Sequence, residues 1–461
     1  MPKRPDKIIK ADPEPLGNGK SPESPHGAGE TGAGFKPRDL LVVKFGGKTL
    51  EDPARVGRLA NTVLTMAQDH DIIVVVSAMG DQTSQLIQTG TQAALGHPDP
   101  QDLIAIAAQG EITSAHVFKA ALTAQGGRAA AIVPGDPRWP IVVQEQGSKA
   151  LASTKVNQQL TVKLEEPVSR ERARTGLQRL VAEGVIPVVT GFLAETVGGR
   201  LTTLGRGGSD ITAFMLAKLC AAQQVIIVTD TPGILKADPK LVGPTAHVQH
   251  LTIEEIDSIA KAGAQVLHPK SLEYKTDKFK ARVVHYDEPD YPTGGTEISG
   301  FYRALLRGNN ENLAMVAMVG VDLLNSPRVL GDLGILAKRA TLPLYGISLT
   351  EGFLAFYVSN DRGEEVCRIL SDHLEDWPYV KSIILRKGVA RLNIASHKFI
   401  DTPGVLEQIV RPLAEEGINV LEVITNQSDI TLFVDWADRH KTWTILKRLA
   451  TDVNMEDIFQ G

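Results

Sequence analysis

The stretch Leu201-Thr202-Thr203-Leu204-Gly205-Arg206-Gly207-Gly208-Ser209-Asp210 concentrates more potential chemistry than any other in this chain. Three glycines within four positions let the backbone come close to a ligand, because no Cβ stands in the way. The apolar run from Ile211 to Cys220 follows at once and reads as a helix with Ser209 or Asp210 at its N-cap. Free backbone N–H groups and the positive helix end would then face one spot, which suits an anion. Arg206 adds a planar fork matched to a carboxylate or a phosphate. An isolated Gly-Arg-Gly-Gly-Ser-Asp is equally a surface loop that ends in a helix cap. Other segments of compatible chemistry, in a compatible order, decide against that plainer reading.

Those segments need a scaffold. The run Leu40-Leu41-Val42-Val43-Lys44-Phe45 reads as a buried strand, and Gly46-Gly47 ends it with a turn open to close approach. Val56, Leu59, Ala60, Val63, Leu64 and Ala67 follow at helical spacing. Residues 72–76 (IIVVV) form a second buried strand. Strand, helix and strand in this order make a βαβ unit, hence a parallel sheet, and such sheets bind ligands beyond the carboxyl ends of their strands. Lys44 to Gly47 and Ser77 to Gly80 sit at such ends. Further strands are expected at 129–133, 185–189, 225–228 and 281–285, and a helix over 105–122 carries Gly110-Glu111. Phe192 follows one of these strands and Thr229-Asp230 another, so several polar groups converge on one sheet edge.

Around residues 296–312 the pattern changes. Strands are expected at 313–321, 343–349 and 353–358, with helices from Arg328 and over 364–373. The last 70 or so residues repeat that order: strand 390–396, helix 405–416, strands 420–425 and 430–435, helix 441–449. The expected organisation is therefore a tail at 1–38, an α/β domain at 39–300 and two tandem β-α-β-β-α modules at 301–388 and 389–461. The tail, rich in Pro, Gly, Lys and Glu, reads as disordered.

Composition narrows the function classes. At 461 residues and 43% hydrophobic, the chain can bury large cores. A net charge of −5 leaves no basic footprint for nucleic acid. The two cysteines, Cys220 and Cys367, supply neither a disulfide framework nor a zinc site and fit a reducing, cytoplasmic setting. No apolar run is long enough to span a membrane, and the N-terminus lacks a signal-peptide core.

Taken in order, the motifs resemble those of aspartate kinases, members of the amino acid kinase family. The resemblance spans most of residues 40–435 and rests on an ordered set of segments. These are Lys44-Phe45-Gly46-Gly47, Val76-Ser77-Ala78 with Thr83, Gly110-Glu111, Thr190-Gly191-Phe192, Thr202 to Asp210, Thr229-Asp230 with Ala237-Asp238-Pro239, and Val266-Leu267-His268-Pro269. It implies an amino-acid kinase fold, a mainly parallel sheet between helices, followed by paired ferredoxin-like ACT modules. It also implies ATP-dependent phosphorylation of the β-carboxylate of L-aspartate, with Mg2+ as the metal, at the entry to lysine, threonine and methionine synthesis.

The residue types suit that reaction. A carboxylate nucleophile is already ionised at neutral pH, so no general base is required. What must be overcome is the repulsion between two anions, so catalysis is charge neutralisation plus alignment. Lys44 would neutralise the transferring phosphoryl, Gly46 and Gly47 would donate N–H groups to its oxygens, and Asp210 would hold Lys44. Arg206 would clamp the substrate carboxylate and Glu111 would meet the α-ammonium group. By resemblance, Ser77, Thr83, Phe192 and Ser209 complete the substrate pocket, while Thr229 and Asp230 lie on the nucleotide side. His268-Pro269 reads as a structural turn.

Four positions depart from the family pattern on the nucleotide side: Lys48 replaces a small hydroxyl residue, Leu235 a tyrosine, Lys240 an arginine and Gln265 a lysine. Either Lys48 supplies the charge lost at Gln265, or the chain has moved to another carboxylate substrate or become a catalytically silent amino-acid sensor. In the first ACT-like module the resemblance places effector contacts at Asn325, Ser326, Leu349, Thr350 and Glu351, for lysine or threonine. The modules are also expected to pair chains into a homodimer or a larger homo-oligomer.

Overall fold

The structure is a computed structural model. It describes residues 38–144, 163–237, 239–243, 245–261, 267–301, 305–308, 311–325, 328–395, 399, 404–426 and 429–451. The expected tail at 1–38 lies outside these residues except for Arg38.

The apolar runs become the strands of an eight-stranded sheet. In chain order these are β1 (Leu40–Phe45), β2 (Asp71–Val76), β3 (Ala129–Ile132), β5 (Ile186–Thr190), β8 (Gln224–Thr229), β9 (His250–Thr252), β10 (Lys280–His285) and β11 (Thr296–Ser299). Their spatial order is β3-β5-β2-β1-β8-β10-β11-β9, parallel throughout except where β10 meets β11. A smaller sheet joins β4 (Val142–Val143), β6 (Leu193–Thr196) and β7 (Leu201–Thr203).

Both faces of the large sheet are covered, which is why its strands are continuously apolar rather than alternating. Val42, Ile73 and Val75 point into one core, together with Ile211, Phe214 and Met215 of helix Gly208–Cys220. Leu41, Val43, Phe45, Val74 and Val76 point into the other. There they meet Val56, Leu59, Ala60 and Val63 of α2 (Pro53–Met66), the face that helical spacing picked out. A short helix, α1 (Gly47–Leu50), links β1 to α2. The helices α3 (Gln82–Ala93) and α4 (Pro100–Ala124) follow β2. β1 lies between β2 and β8, where the strand order reverses, and a crevice at the carboxyl end of such a strand is the usual ligand position.

The C-terminal part differs from the tandem arrangement expected. Its strands are β12 (Leu305–Gly308), β13 (Leu313–Gly320), β14 (Gly346–Leu349), β15 (Phe353–Ser359), β16 (Val380–Ala395), β17 (Val420–Asn426) and β18 (Asp429–Asp435). They form one sheet ordered β14-β15-β13-β16-β18-β17, with β12 also paired to β16. β16 serves both modules: Val380 to Val389 pairs with β13, and Val389 to Ala395 pairs with β18. β12 pairs with the second half of β16, so it completes the second module from a position ahead of the first. The first module is thus inserted within the second, and each has four strands.

Helices cover a separate core in each module. Val329, Leu333, Val366 and Leu370 line one, and Val405, Ile409, Leu413 and Leu446 line the other. The two helix-free faces meet at Leu313, Tyr357, Val389 and Phe433. The Tyr357 and Phe433 rings stack with centroids 3.7 Å apart, although β15 and β18 are not neighbours in the sheet. Burial keeps the Tyr357 phenol protonated well above its usual range, and it donates to Glu422 Oε2 at 2.5 Å. Tyr357→Phe leaves that carboxylate without its donor and is expected to cost about 1–3 kcal/mol, read as a lower urea midpoint.

Candidate active site

Lys44 is the fifth residue of β1, with its neighbours buried on both sides. Its Nζ lies 2.6 Å from Asp210 Oδ1, and the side chains are only 11% and 14% exposed. At that separation the contact is a close ion pair. Asp210 stands in the first turn of helix Gly208–Cys220, where a negative charge is favoured by the helix dipole. Two segments more than 150 residues apart in sequence are joined by this pair.

The helix begins earlier than the sequence suggests. Neither Ser209 nor Asp210 is the N-cap; Gly207 is, in a left-handed conformation (φ 74°). A side chain there would also strike His268, whose Cβ lies 2.3 Å from the place a Cβ would take. The Gly208 and Asp210 N–H groups turn inward to the Gly205 and Gly207 carbonyls, which shortens the expected row of free donors. Arg206 is exposed at the crest of the loop and has no ion-pair partner among the described residues.

A second correction concerns Gly46. Its N–H donates to the Val228 carbonyl at 3.3 Å, tying the turn after β1 to β8, so it is not free for a phosphate. Gly47 opens α1, and the first N–H groups of a helix lack intrahelical acceptors. A Cβ on Gly47 would come within 2.8 Å of the Ala78 carbonyl, so only glycine lets this turn pack against Ser77 to Gly80.

Glu111 sits on α4 and is 4% exposed. Gly110 beside it lets α4 approach Ala78 and Thr83. Burial raises the Glu111 pKa to about 8, against the opposing effects of the Ala78 backbone N–H and the nearby Lys44 charge. Its Oε2 is buried with no partner among the described residues. Such a carboxyl group is suited to receive a cation. The hydroxyls of Ser114, Thr190 and Thr203 are likewise buried and unpartnered among the described residues. None was singled out from sequence as a site residue. Ser114 stands three positions after Glu111, hence on the same helix face, and that spacing could have revealed it.

Phe192 is strained. Its φ is 65°, and the Leu193 N–H donates across it to the Gly191 carbonyl at 2.6 Å, a tight turn that few non-glycine residues adopt. Strain of this kind persists where the surroundings over-determine it, often at ligand sites. Here Gly191 and Gly208 bring the Phe192 turn against Ser209 with no room for a Cβ on either glycine.

On the other side of β1, Thr229 ends β8 and Asp230 follows. Thr229 Oγ1 donates to Asp230 Oδ1 at 3.1 Å, and Lys48 Nζ lies 3.6 Å from Asp230 Oδ2. Leu235 forms an isolated bridge with His247. Lys240 lies in the short helix Pro239–Val242, its side chain undescribed, and Gln265 falls outside the described residues. The His268 ring caps helix Pro269–Leu272 by accepting from the Lys270 N–H, as a structural turn should. In the first module, Asn325 ends a short 3₁₀ turn, while Ser326 lies outside the description. The Leu323 N–H donates to the Glu351 carbonyl at 2.8 Å, so that turn meets Leu349-Thr350-Glu351 far from it in sequence.

The sheet, the reversal of strand order at β1 and the Lys44–Asp210 pair describe an α/β enzyme that handles anions. The model of the amino acid kinase family matches residues 39–285, and this chain belongs to that family. An ACT domain model matches residues 384–448. The aspartokinase of Geobacillus stearothermophilus is 27% identical over 416 residues, covering 86% of this chain and 93% of the relative. That of Thermus thermophilus is 27% identical over 410 residues, covering 86% and 94%. The crystal structure of aspartate kinase from Synechocystis has the same fold, with a TM-score of 0.68 at 24% identity over 89% of this chain and 69% of that one. Among the described residues, no helix is long and apolar enough to cross a membrane.

Proposed function

We propose that this chain is an aspartate kinase, a phosphotransferase that moves the γ-phosphoryl group of ATP to the β-carboxylate of L-aspartate. The observation that carries the reading is the juxtaposition of the Lys44–Asp210 ion pair with the buried, half-satisfied Glu111. One supplies positive charge for phosphoryl oxygens; the other is a receptor for an ammonium group. A substrate carrying both a carboxylate and an ammonium is what such a site selects. The aspartokinase relatives covering 86% of the chain support the choice of aspartate. By the resemblance, the departures Lys48, Leu235, Lys240 and Gln265 belong to the nucleotide side. Glu111, Arg206, Ser209 and Phe192 keep the family's residue types on the acceptor side, which argues against another carboxylate.

In the mechanism, Glu111 and Arg206 orient the acceptor, while Lys44 offsets the charge that gathers as the acceptor carboxylate approaches the phosphoryl group. Asp210 keeps Lys44 from swinging away. Gly47 lends its N–H at the start of α1. Mg2+ bound to ATP would supply further charge neutralisation at the phosphates, beside Lys44 and the start of α1. The division at residues 39–300, 301–388 and 389–461 is retained as the functional one, with β12 reassigned to the last module. Regulation by lysine or threonine at Asn325, Ser326 and Leu349 to Glu351, pairing of chains through the ACT modules, and a cytoplasmic location belong to the same proposal.

The test is incubation with ATP, Mg2+ and candidate acids, followed by trapping of the acyl phosphate with hydroxylamine. Aspartyl hydroxamate is the expected product. A different hydroxamate would identify another acceptor, and none at all would leave a non-catalytic sensor. On the nucleotide side, Lys48 is 79% exposed, so a charge contact from it to ATP would be worth at most about 1 kcal/mol. Lys48→Thr should therefore raise the KM for ATP by no more than about fivefold. If Lys48 compensates for Gln265, adding Gln265→Lys should recover part of that loss in steady-state kinetics. Strictly additive effects would discard the compensation.

A further inference from the structure

Behind the turn that carries Gly47 and Lys48 lies a cleft of about 230 Å³, between the first turns of α2 and the loop after β10. Arg55 and Arg58 line one wall, and Asp287 and Glu288 the other, with Tyr286 between them. Among the described residues no ion pair joins the opposite charges across it. Arg55 spends its Nη1 on the Lys48 and Thr49 carbonyls, at 2.9 and 3.4 Å, and its guanidinium lies 4.3 Å over the Tyr286 ring. Its Nε is shielded from solvent and has no acceptor among the described residues. Arg58 is exposed and has no ion-pair partner among the described residues. The Asp287 carboxylate lies 3.8 Å from the His285 imidazole, and Glu288 is folded over Gly294, which has no room for a Cβ beneath it.

We propose that this cleft binds a small zwitterion, a free α-amino acid, with its carboxylate on Arg55 and Arg58 and its ammonium on Asp287 and Glu288. Guanidinium groups without an ion-pair partner among the described residues suit a carboxylate. A phosphate or nucleotide would meet repulsion from Asp287 and Glu288, and a simple amine would meet it from the arginines. The volume also falls below the roughly 300–1,000 Å³ of pockets for drug-sized ligands, which suits an amino acid. Both walls reach the nucleotide side. Arg55 holds the carbonyl of Lys48, whose side chain faces Asp230, and the Tyr286 N–H donates to the Thr229 carbonyl at 3.0 Å. The cleft is separate from the ACT modules and from Glu111, and its occupancy does not depend on the kinase reading.

The test is calorimetric titration of the full chain with glycine, L-alanine, L-threonine, L-lysine, inorganic phosphate and putrescine. It is repeated on Arg58→Ala and Glu288→Gln, with circular dichroism confirming that each variant is folded. The expected result is at least one amino acid whose Kd rises about tenfold or more in both variants. Binding to the ACT modules would be untouched by either substitution, so it cannot imitate this pattern. If every amino acid fails to bind, or binds equally well to both variants or loses affinity in only one, the proposal is overturned. Phosphate binding that depends on Arg58 but survives Glu288→Gln would replace it with a plain anion site, and putrescine binding that depends on Glu288 alone with a cation site.

Discussion

Lys44→Ala is expected to lower kcat at least about a hundredfold, the largest effect of any single substitution proposed for this protein. Phosphoryl transfer to a carboxylate brings two anions together, and the protein's answer is charge fixed in place beforehand. Lys44 is held at 2.6 Å by Asp210 in a site where both side chains are largely shielded from water. A preorganised charge contact of this kind is typically worth 10²–10³ in rate, because it needs no rearrangement as the transition state forms. Removing the ammonium also leaves Asp210 facing the phosphates unpaired, which turns an anchor into a source of repulsion. The loss should fall on kcat more than on the KM for aspartate, since the contact strengthens as charge develops. Steady-state kinetics with hydroxylamine trapping checks this, with thermal unfolding run alongside to exclude loss of fold. Near-normal turnover would remove Lys44 from the reaction.

The catalytic half was legible in sequence because its signals are local. A strand buried on both faces is a run of apolar residues, and α2 announces its inner face by spacing alone. Lys44, Ser77, Phe192 and Thr229 fall at the ends of such runs, so their convergence followed from the parallel topology. The sequence favours Ser or Asp as the N-cap, whereas tertiary packing decides: only a glycine at 207 fits against His268. The Gly46 N–H looks free in sequence because its acceptor, Val228, lies in a strand far away along the chain.

The C-terminal half hid its connectivity for a similar reason. The sequence reading starts a strand only at residue 390. In the fold Gly388 takes φ 75° at a bulge, where Leu313 pairs with Val389 and Ala314 with Lys387. Its N–H donates to Asn360 Oδ1 at 3.0 Å, and the strand continues through it into the second module. β12, four residues long, has no periodicity of its own, and its partner residues lie more than 80 positions further on. Pairing at that distance leaves no trace in a local pattern.

Glu111 makes the second large prediction, a dependence of aspartate affinity on pH displaced well above the range of an ordinary carboxylate. In the ligand-free protein burial raises its pKa to about 8, so at pH 7 roughly nine molecules in ten carry it neutral. An arriving ammonium group favours the ionised form, pulls the pKa down and expels the proton. Binding is then coupled to deprotonation, and kcat/KM for aspartate should climb about tenfold per pH unit from near pH 6 and level off above pH 8. A glutamate of ordinary pKa would be fully ionised across that range and would give a flat profile. Calorimetry at pH 7 in buffers of different ionisation enthalpy should find close to one proton released per aspartate bound. The same shift weakens the ligand-free fold. The folded pKa lies above the unfolded one, so stability present at low pH is lost progressively as pH rises from the ordinary glutamate value to about 8, and aspartate should restore it. Glu111→Gln keeps the shape but cannot ionise, so its kcat/KM should be lower than that of the native chain at pH 8 and should lose the slope. A native profile that is flat between pH 6 and 8, with no proton release, would mean that Glu111 does not receive the ammonium group.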